Sequence, residues 1–314
     1  MTAIPVIDVS GLSGSEAGRV AAEIGAACRE VGFFYVTGHA VPPDLGTAVF
    51  DASARFFAQA EAQKKAVLYT AAGNRGYVPM KGEALDPGKP ADLKEAFNIG
   101  LDLPADDPDL LAGRGFRAAN LWPDLPGFRD TMLTYFAACQ DLGRLLHRAF
   151  AIDLGLPPGF FDDKLDRPMA VLRLLHYPPA PDRAELGQLG AGEHTDYGCV
   201  TLLATDGVGG LQVRSRTGDW LDAPHLPGAF VCNIGDCLMR WTNDIYVSTP
   251  HRVVSPAGRE RYSVAFFLDP NPDAEIACLP GCATPDRPAR YRPIRGDAFL
   301  TARLSPTYQK SGLA

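Results

Sequence analysis

The second half of the chain carries six short segments of strand character: VLRLLHY (171–177), CVTLLAT (199–205), LQVRS (211–215), AFVCNIG (229–235), VSTPHRVVS (247–255) and RYSVAFFLD (261–269). Turns rich in Pro, Gly and Asp separate them, so apolar alternation stops and restarts at short intervals. The first half reads differently. IPVID and FFYVTGH are compact strand candidates. Between them Ser15 is the expected cap of a helix with Val20, Ile24, Ala27 and Val31 on one face, which Gly32 ends. Pro42 opens a second helix carrying Val49, Phe50, Phe56 and Phe57. A long helix from Phe128 toward Leu154, with Met132, Leu133, Phe136, Leu142, Leu145 and Leu146, is expected to cover a sheet. Strands crowded behind a helical portion predict an α+β protein, a distorted double-stranded β-helix (jelly roll) with supporting α-helices. The expected division is a region 1–118 supplying helices and pocket loops, and a region 119–314 with the helical support and jelly-roll core.

Residues 71 to 125 are dense in turn formers (AAGNRGYVPMKGEALDPGKP, then LDLPADDPDLLAGRG after the short segment KEAFNIG) and too long for an inert linker. Loops of this kind line pockets on a rigid scaffold. No internal repeat, Gly-rich dinucleotide fingerprint or phosphate-binding loop occurs.

The central motif is His194-Thr195-Asp196. In extended chain, residues two apart share a face, so His194 and Asp196 point together and Thr195 points away. His251, from another strand, completes two imidazoles and a carboxylate. That set suits non-haem Fe(II) with three positions left open; zinc with water fits the same ligands. Arg261 and Ser263 are again two apart, a guanidinium and a hydroxyl placed to bind a carboxylate. Tyr177 is a further donor toward a cosubstrate or substrate.

The net charge of −7 over 314 residues supplies no general basic footprint for nucleic acid. The start MTAIPVIDVSG lacks a secretory leader, and no apolar run is long enough to span a bilayer. The setting expected is cytoplasmic, for a monomer, with a weak oligomer as the alternative, and without nucleic-acid or membrane partners. Seven scattered cysteines read as reduced thiols. Cys278 and Cys282 in CLPGC supply only two ligands, so their expected role is structural.

IPVIDVSGL, GFFYVTGHAV, LRLLHYPP, HTDYGCVTLL, GGLQV, NIGD, STPHRV and RYSVAFFLDP occur in an order that resembles the isopenicillin N synthase-like branch of the Fe(II)/2-oxoglutarate-dependent dioxygenases over nearly the whole chain. The resemblance implies Fe(II) on His194, Asp196 and His251, and the 2-oxoglutarate C5 carboxylate on Arg261 and Ser263, with Tyr177 assisting. O2 would be the oxidant, and the reaction would oxidise a small-molecule metabolite with release of succinate and carbon dioxide. Hydroxylation is the expected outcome; desaturation, cyclisation and ethylene-forming chemistry use the same ligands. One departure stands in LRLLHYPP: many plant members carry Asn where this chain has Leu175, which cannot hydrogen-bond 2-oxoglutarate.

For substrate, Arg75 and Lys94 are candidates to attract an anion, and Tyr77 and Phe97 to stack or form an apolar wall. Trp241 and Asn243, on the approach to His251, are candidates for pocket contacts. FLTARLSPTYQKSG is a candidate terminal helix and lid. A zinc hydrolase and a noncatalytic jelly-roll binding module are the rivals from other classes, and neither needs the Arg261 and Ser263 pair.

Overall fold

A computed structural model describes residues 4–71, 73–85, 90–179, 188–255 and 258–308, with side chains to 304. Residues 72 and 86–89 of the expected turn-rich stretch, and 309–312 of the expected terminal lid, lie outside the described residues. The chain opens with β1 (Val6–Asp8), α1 (Ala17–Glu30), β2 (Phe33–Thr37), α2 (Pro43–Phe57) and the short α3 (Glu61–Lys65). β3 (Gly76–Val78), β4 (Glu95–Gly100), α4 (Pro108–Leu111) and α5 (Phe128–Asp153) follow. Then come β5 (Val171–Tyr177), β6 (Ala191–His194), β7 (Val200–Thr205), β8 (Leu211–Arg214), β9 (Trp220–Asp222) and β10 (Phe230–Ile234). The remainder is α6 (Asp236–Trp241), β11 (His251–Val253), β12 (Arg261–Leu268), β13 (Glu275–Ile276), β14 (Ile294–Arg295) and α7 (Gly296–Tyr308).

Eight strands form one sheet in the order β1-β2-β10-β7-β12-β5-β4-β3, and four form a second in the order β6-β11-β8-β9. Apart from the parallel β1–β2 pair, both sheets are antiparallel. Residues of both sheets line a single cavity, the arrangement expected of a jelly roll with helical support. β1 to β4, all before residue 118, hydrogen-bond into the same large sheet as β5, β7, β10 and β12.

Alternation along the central strands assigns the two faces of the large sheet. On β12, Arg261, Ser263, Ala265 and Phe267 line the cavity, whereas Val264, Phe266 and Leu268 join the core beneath the helices. On β5, Val171, Arg173, Leu175 and Tyr177 face the cavity and Leu172 and Leu174 face the helices. This is the period-two rule of a strand buried on both faces. α5 packs across α1 and α2 and onto β12, with Phe128, Met132, Phe136, Leu142 and Leu146 buried.

One local expectation is corrected. α1 is not capped by Ser15: its N-cap is Glu16, whose side chain pairs with Arg19 at 2.6 Å while Gly14 O accepts the Ala17 N–H. Within the short segment KEAFNIG, to which the sequence assigns no element, Glu95–Gly100 form β4, paired on one side with β3 and on the other with β5. The end of α1 is as expected. Gly32 has φ 71°, and a side chain there would collide with Val247 O.

Candidate metal and cosubstrate site

β6 and β11 are neighbours in the small sheet, and their register sets His251 directly against His194. β6 ends at His194, so Asp196 projects from the following loop rather than from the strand itself. The three residues nevertheless converge: one ligand atom from each lies within 4.8 Å of the others. Asp196 Oδ1 is 3.8 Å from His194 Nε2 and 3.7 Å from His251 Nε2.

The backbone and neighbouring polar groups choose which atoms face inward. His194 Nδ1 bonds Gly192 O at 2.7 Å and His251 Nδ1 bonds Thr249 O at 3.2 Å, which leaves both Nε2 lone pairs for the centre. Asp196 Oδ2 accepts from Thr201 Oγ1 at 2.5 Å and Asn233 Nδ2 at 2.7 Å, which leaves Oδ1 free to ligate. Burial, with His251 adding to it, pushes the His194 imidazole down to about 3, so it stays neutral. Burial alone would raise the Asp196 carboxyl, but His251, His194, Thr201 and Asn233 together hold it below the usual carboxylate range. A neutral His194 imidazole, the His251 imidazole beside it and an ionised carboxylate on one side of a cavity fit Fe(II) with positions left open.

Arg261 and Ser263 line the same cavity. Arg261 is 1% exposed, donates from Nε to Gly209 O at 2.7 Å and from Nη1 to Ser263 Oγ at 3.2 Å, and stacks 4.7 Å from the Tyr177 ring. Among the described residues no carboxylate pairs with it. A buried guanidinium without a counter-charge is costly, so this end of the cavity suits a carboxylate ligand. Gly209 and Gly210, both at positive φ, bring their loop against β11, where a side chain at 210 would strike Val254 O. Tyr177 stands opposite Arg261 and Leu175 opposite Ser263 across the β5–β12 ladder, and both line the cavity.

The substrate candidates separate. Lys94 lines the cavity, buried, with Asp92 at 2.8 Å and Glu83 at 3.5 Å; burial opposes its charge, but these two carboxylates raise its affinity for the proton. Phe97 faces the helices among Phe56 and Phe128, because it has the opposite parity on β4. Tyr77, directly paired with Phe97, donates to Glu95 Oε2 on that face. Arg75 is buried away from the cavity, its Nη1 on Gly73 O and Asn74 O and its guanidinium against Gly100. Trp241 is a core residue donating to Glu275 O at 3.2 Å. Asn243 clasps a loop, donating to Cys282 O and Pro288 O and accepting from Arg290 N. Sequence reasoning missed Asn98, Arg173, Glu83 and Asp269 on the cavity wall, and Thr201 and Asn233 behind Asp196. Reading KEAFNIG as a strand would have given Asn98, which alternates with Phe97. Leu300 and Leu304 of α7 also line the cavity.

Comparison with known proteins agrees over nearly the whole chain. Residues 4–125 match the family described as non-haem dioxygenase in morphine synthesis N-terminal, and residues 168–270 match the 2OG-Fe(II) oxygenase superfamily. The 2-oxoglutarate-Fe(II) type oxidoreductase hxnY of Emericella nidulans is 37% identical over 99% of this chain and 92% of its own length. A homoarginine-6-hydroxylase of Glycine max is 37% identical, covering 88% of each chain. The crystal structure of a full-length Neurospora crassa protein in complex with alpha-KG and thymine superposes with a TM-score of 0.85, at 36% identity and 96% coverage of both chains. This likeness bears out the double-stranded β-helix expected from the strand order.

Proposed function

The chain belongs to the isopenicillin N synthase-like branch of the 2-oxoglutarate- and Fe(II)-dependent oxygenases, and we propose that it hydroxylates a small metabolite at the cavity between its two sheets. Its cofactor is Fe(II), its cosubstrate is 2-oxoglutarate and its oxidant is O2. The observation that carries the proposal is the placement of His194, Asp196 and His251 on the same cavity as Arg261, which has no carboxylate partner among the described residues.

His194 Nε2, His251 Nε2 and Asp196 Oδ1 are the atoms that hold the metal. When bound, Fe(II) with 2-oxoglutarate supplies the oxidising chemistry, in which decarboxylation of the cosubstrate to succinate accompanies transfer of one oxygen atom to substrate. Arg261 and Ser263 hold the distal carboxylate of the cosubstrate and so orient its keto-acid end toward the metal ligands. Tyr177, stacked on the guanidinium, keeps it in that orientation. Leu175, Leu211 and Val253 form apolar wall around this region and exclude water. The substrate lies on the remaining wall, where α7 contributes Leu300 and Leu304. Residues 1–118 supply β4 and part of the pocket wall, and residues 119–314 the metal and cosubstrate ligands.

The names of the relatives support a small-molecule substrate: one is a hydroxylase of homoarginine, and another was crystallised with thymine. No helix among the described residues is long and apolar enough to cross a membrane. Seven free cysteines support a reducing, cytoplasmic setting. Exposed large apolar residues are few and scattered among the described residues (Val6, Leu68, Leu111 and Val254), which supports a monomer.

The test is succinate formation from 2-oxoglutarate by the wild-type protein, with and without Fe(II) and O2, across a panel of small metabolites. Succinate that requires both supports the proposal. Hydrolysis of any panel compound without O2 consumption would replace it.

A further inference from the structure

The strand that delivers His194 is laid against a segment from the first third of the chain. Ala91 O accepts from Gln188 Nε2 at 3.0 Å, the Leu93 N–H donates to Leu189 O at 2.9 Å, and Asp92 Oδ1 accepts the Gly192 N–H at 2.9 Å. Gly192 O is in turn the acceptor that holds His194 Nδ1 at 2.7 Å. One glycine therefore donates to Asp92 through its N–H and accepts from the metal-site imidazole through its carbonyl.

The two histidines differ in what steadies that carbonyl. For His251 it belongs to Thr249, a β-branched residue followed by Pro250, and the Thr249 hydroxyl is itself bonded to Val31 O at 2.6 Å. For His194 it belongs to a glycine, the residue with the widest choice of φ and ψ. The β-ladder does not restrain it either. His251 pairs with His194 and Val253 with Ala191, so β6 carries an extra residue at Gly192-Glu193, a bulge in the pairing with β11. At that irregular point the Gly192 N–H goes to Asp92 instead of to a neighbouring strand. Asp92 is 2% exposed, and its other oxygen accepts from Lys94 Nζ at 2.8 Å and from the Leu85 N–H at 3.4 Å. Lys94 supplies the counter-charge that a buried carboxylate needs.

We propose that the Asp92–Lys94 pair is a positioning device for the metal site: Asp92 fixes the bulge at Gly192, whose carbonyl then holds His194 as the Nδ1–H tautomer with Nε2 directed at the metal. The inference rests on the oxygenase reading and gives two residues of the N-terminal region a part in it. Asp92 and Lys94 act through Gly192 and ligate nothing themselves. An orienting partner of this kind is worth about 10–100-fold in metal affinity.

The experiment compares two full-length double variants, Asp92→Asn with Lys94→Met and Asp92→Leu with Lys94→Met. Both lack the charge pair and neither leaves a buried ammonium beside an uncharged residue; they differ in whether an oxygen remains for the Gly192 N–H. The first readout is Co(II) titration of the metal-free protein, followed by visible absorption. The Leu variant should bind about 10–100-fold more weakly than the Asn variant, which should stay close to the wild type. The second readout is the ring-nitrogen NMR spectrum of the metal-free protein. His194 should be the Nδ1–H tautomer in the wild type and the Asn variant and a mixture of tautomers in the Leu variant, with His251 the same in all three. A role in stability alone would lower the unfolding midpoint and leave both readouts in place. Equal Co(II) affinity in the two double variants, an unaltered His194 tautomer in the Leu variant, or loss of the His194 and His251 signatures together overturns the proposal. Asp92→Ala with Lys94→Met carries the same comparison if the Leu variant does not fold. Neither readout requires turnover: a wild type that shows both but forms no succinate counts against the oxygenase reading alone, and normal succinate formation with equal affinities counts against the positioning role alone.

Discussion

His194 and His251 face each other as a directly registered pair of β6 and β11, with ring centroids 4.3 Å apart. Two strands far apart in sequence thus present both imidazoles from adjacent backbone positions, and only the carboxylate has to be brought in from a loop. The pairing rigidifies the site before any metal arrives, because each ring is also pinned by a backbone carbonyl at Nδ1.

Replacing His194 or Asp196 by Ala should therefore abolish iron binding and succinate formation together, as read by metal analysis and product assay. Asn233→Leu removes one of the two donors that fix Asp196 Oδ2 and should weaken iron by about 10–100-fold without abolishing it. Full iron occupancy and unchanged turnover in both ligand variants would sink the ligand set.

Arg261→Ala should raise the 2-oxoglutarate KM by about 10–100-fold, the value of one lost charge-assisted hydrogen bond, while iron binding is retained. The discriminating measurement is the separation of the two: iron titration unchanged, cosubstrate saturation displaced. An unchanged KM refutes the anchoring role.

Phe97 and Trp241 are buried in the core beneath the helices, so truncating either to Ala should cost about 3–5 kcal/mol in urea unfolding. At a temperature where the variants remain folded, their 2-oxoglutarate KM should match the wild type. A shift in that KM with stability unaltered would move these side chains into the site.

His147 supplies a pH signature remote from the metal ligands. Burial in α5 pushes its imidazole down to about 4, with Nδ1 on Gly143 O at 2.8 Å and Nε2 unpartnered among the described residues. Its folded-state value lies below the ordinary 6.5, so on acidification the unfolded chain takes up the proton first. The associated stability is complete above about pH 6.5 and is lost as pH falls toward 4. Between about pH 6.5 and 5 the wild type should lose about 2 kcal/mol more than His147→Phe, measured by denaturant unfolding at each pH. Equal losses in the two proteins would place the acid sensitivity elsewhere.

Much of the site is legible in the linear sequence because strand alternation is short-range. His194 and Asp196, and again Arg261 and Ser263, advertise a shared face through a spacing of two, and the order of strand segments announces the jelly roll. Alternation also explains what was missed. Phe97 and Asn98 are consecutive, so on β4 one must face the helices and the other the cavity. Until KEAFNIG is known to be a strand with a defined partner, nothing local decides which. Arg75, Tyr77, Trp241 and Asn243 look available in a polar loop context, yet each is taken up by a backbone carbonyl, a buried carboxylate or the core.

The sequence by itself determined the class of fold and picked out the candidate metal trio and the candidate Arg261–Ser263 pair, since both are written in periodicities of a few residues. The tertiary structure decided which polar groups remain unmatched after folding. Lys94 keeps its charge but loses its freedom to Asp92 and Glu83, whereas Arg261 lines the cavity with no carboxylate partner among the described residues. Partners of that kind come from strands distant in sequence, and hydrogen-bonding capacity is spent or left over only when those strands are in register.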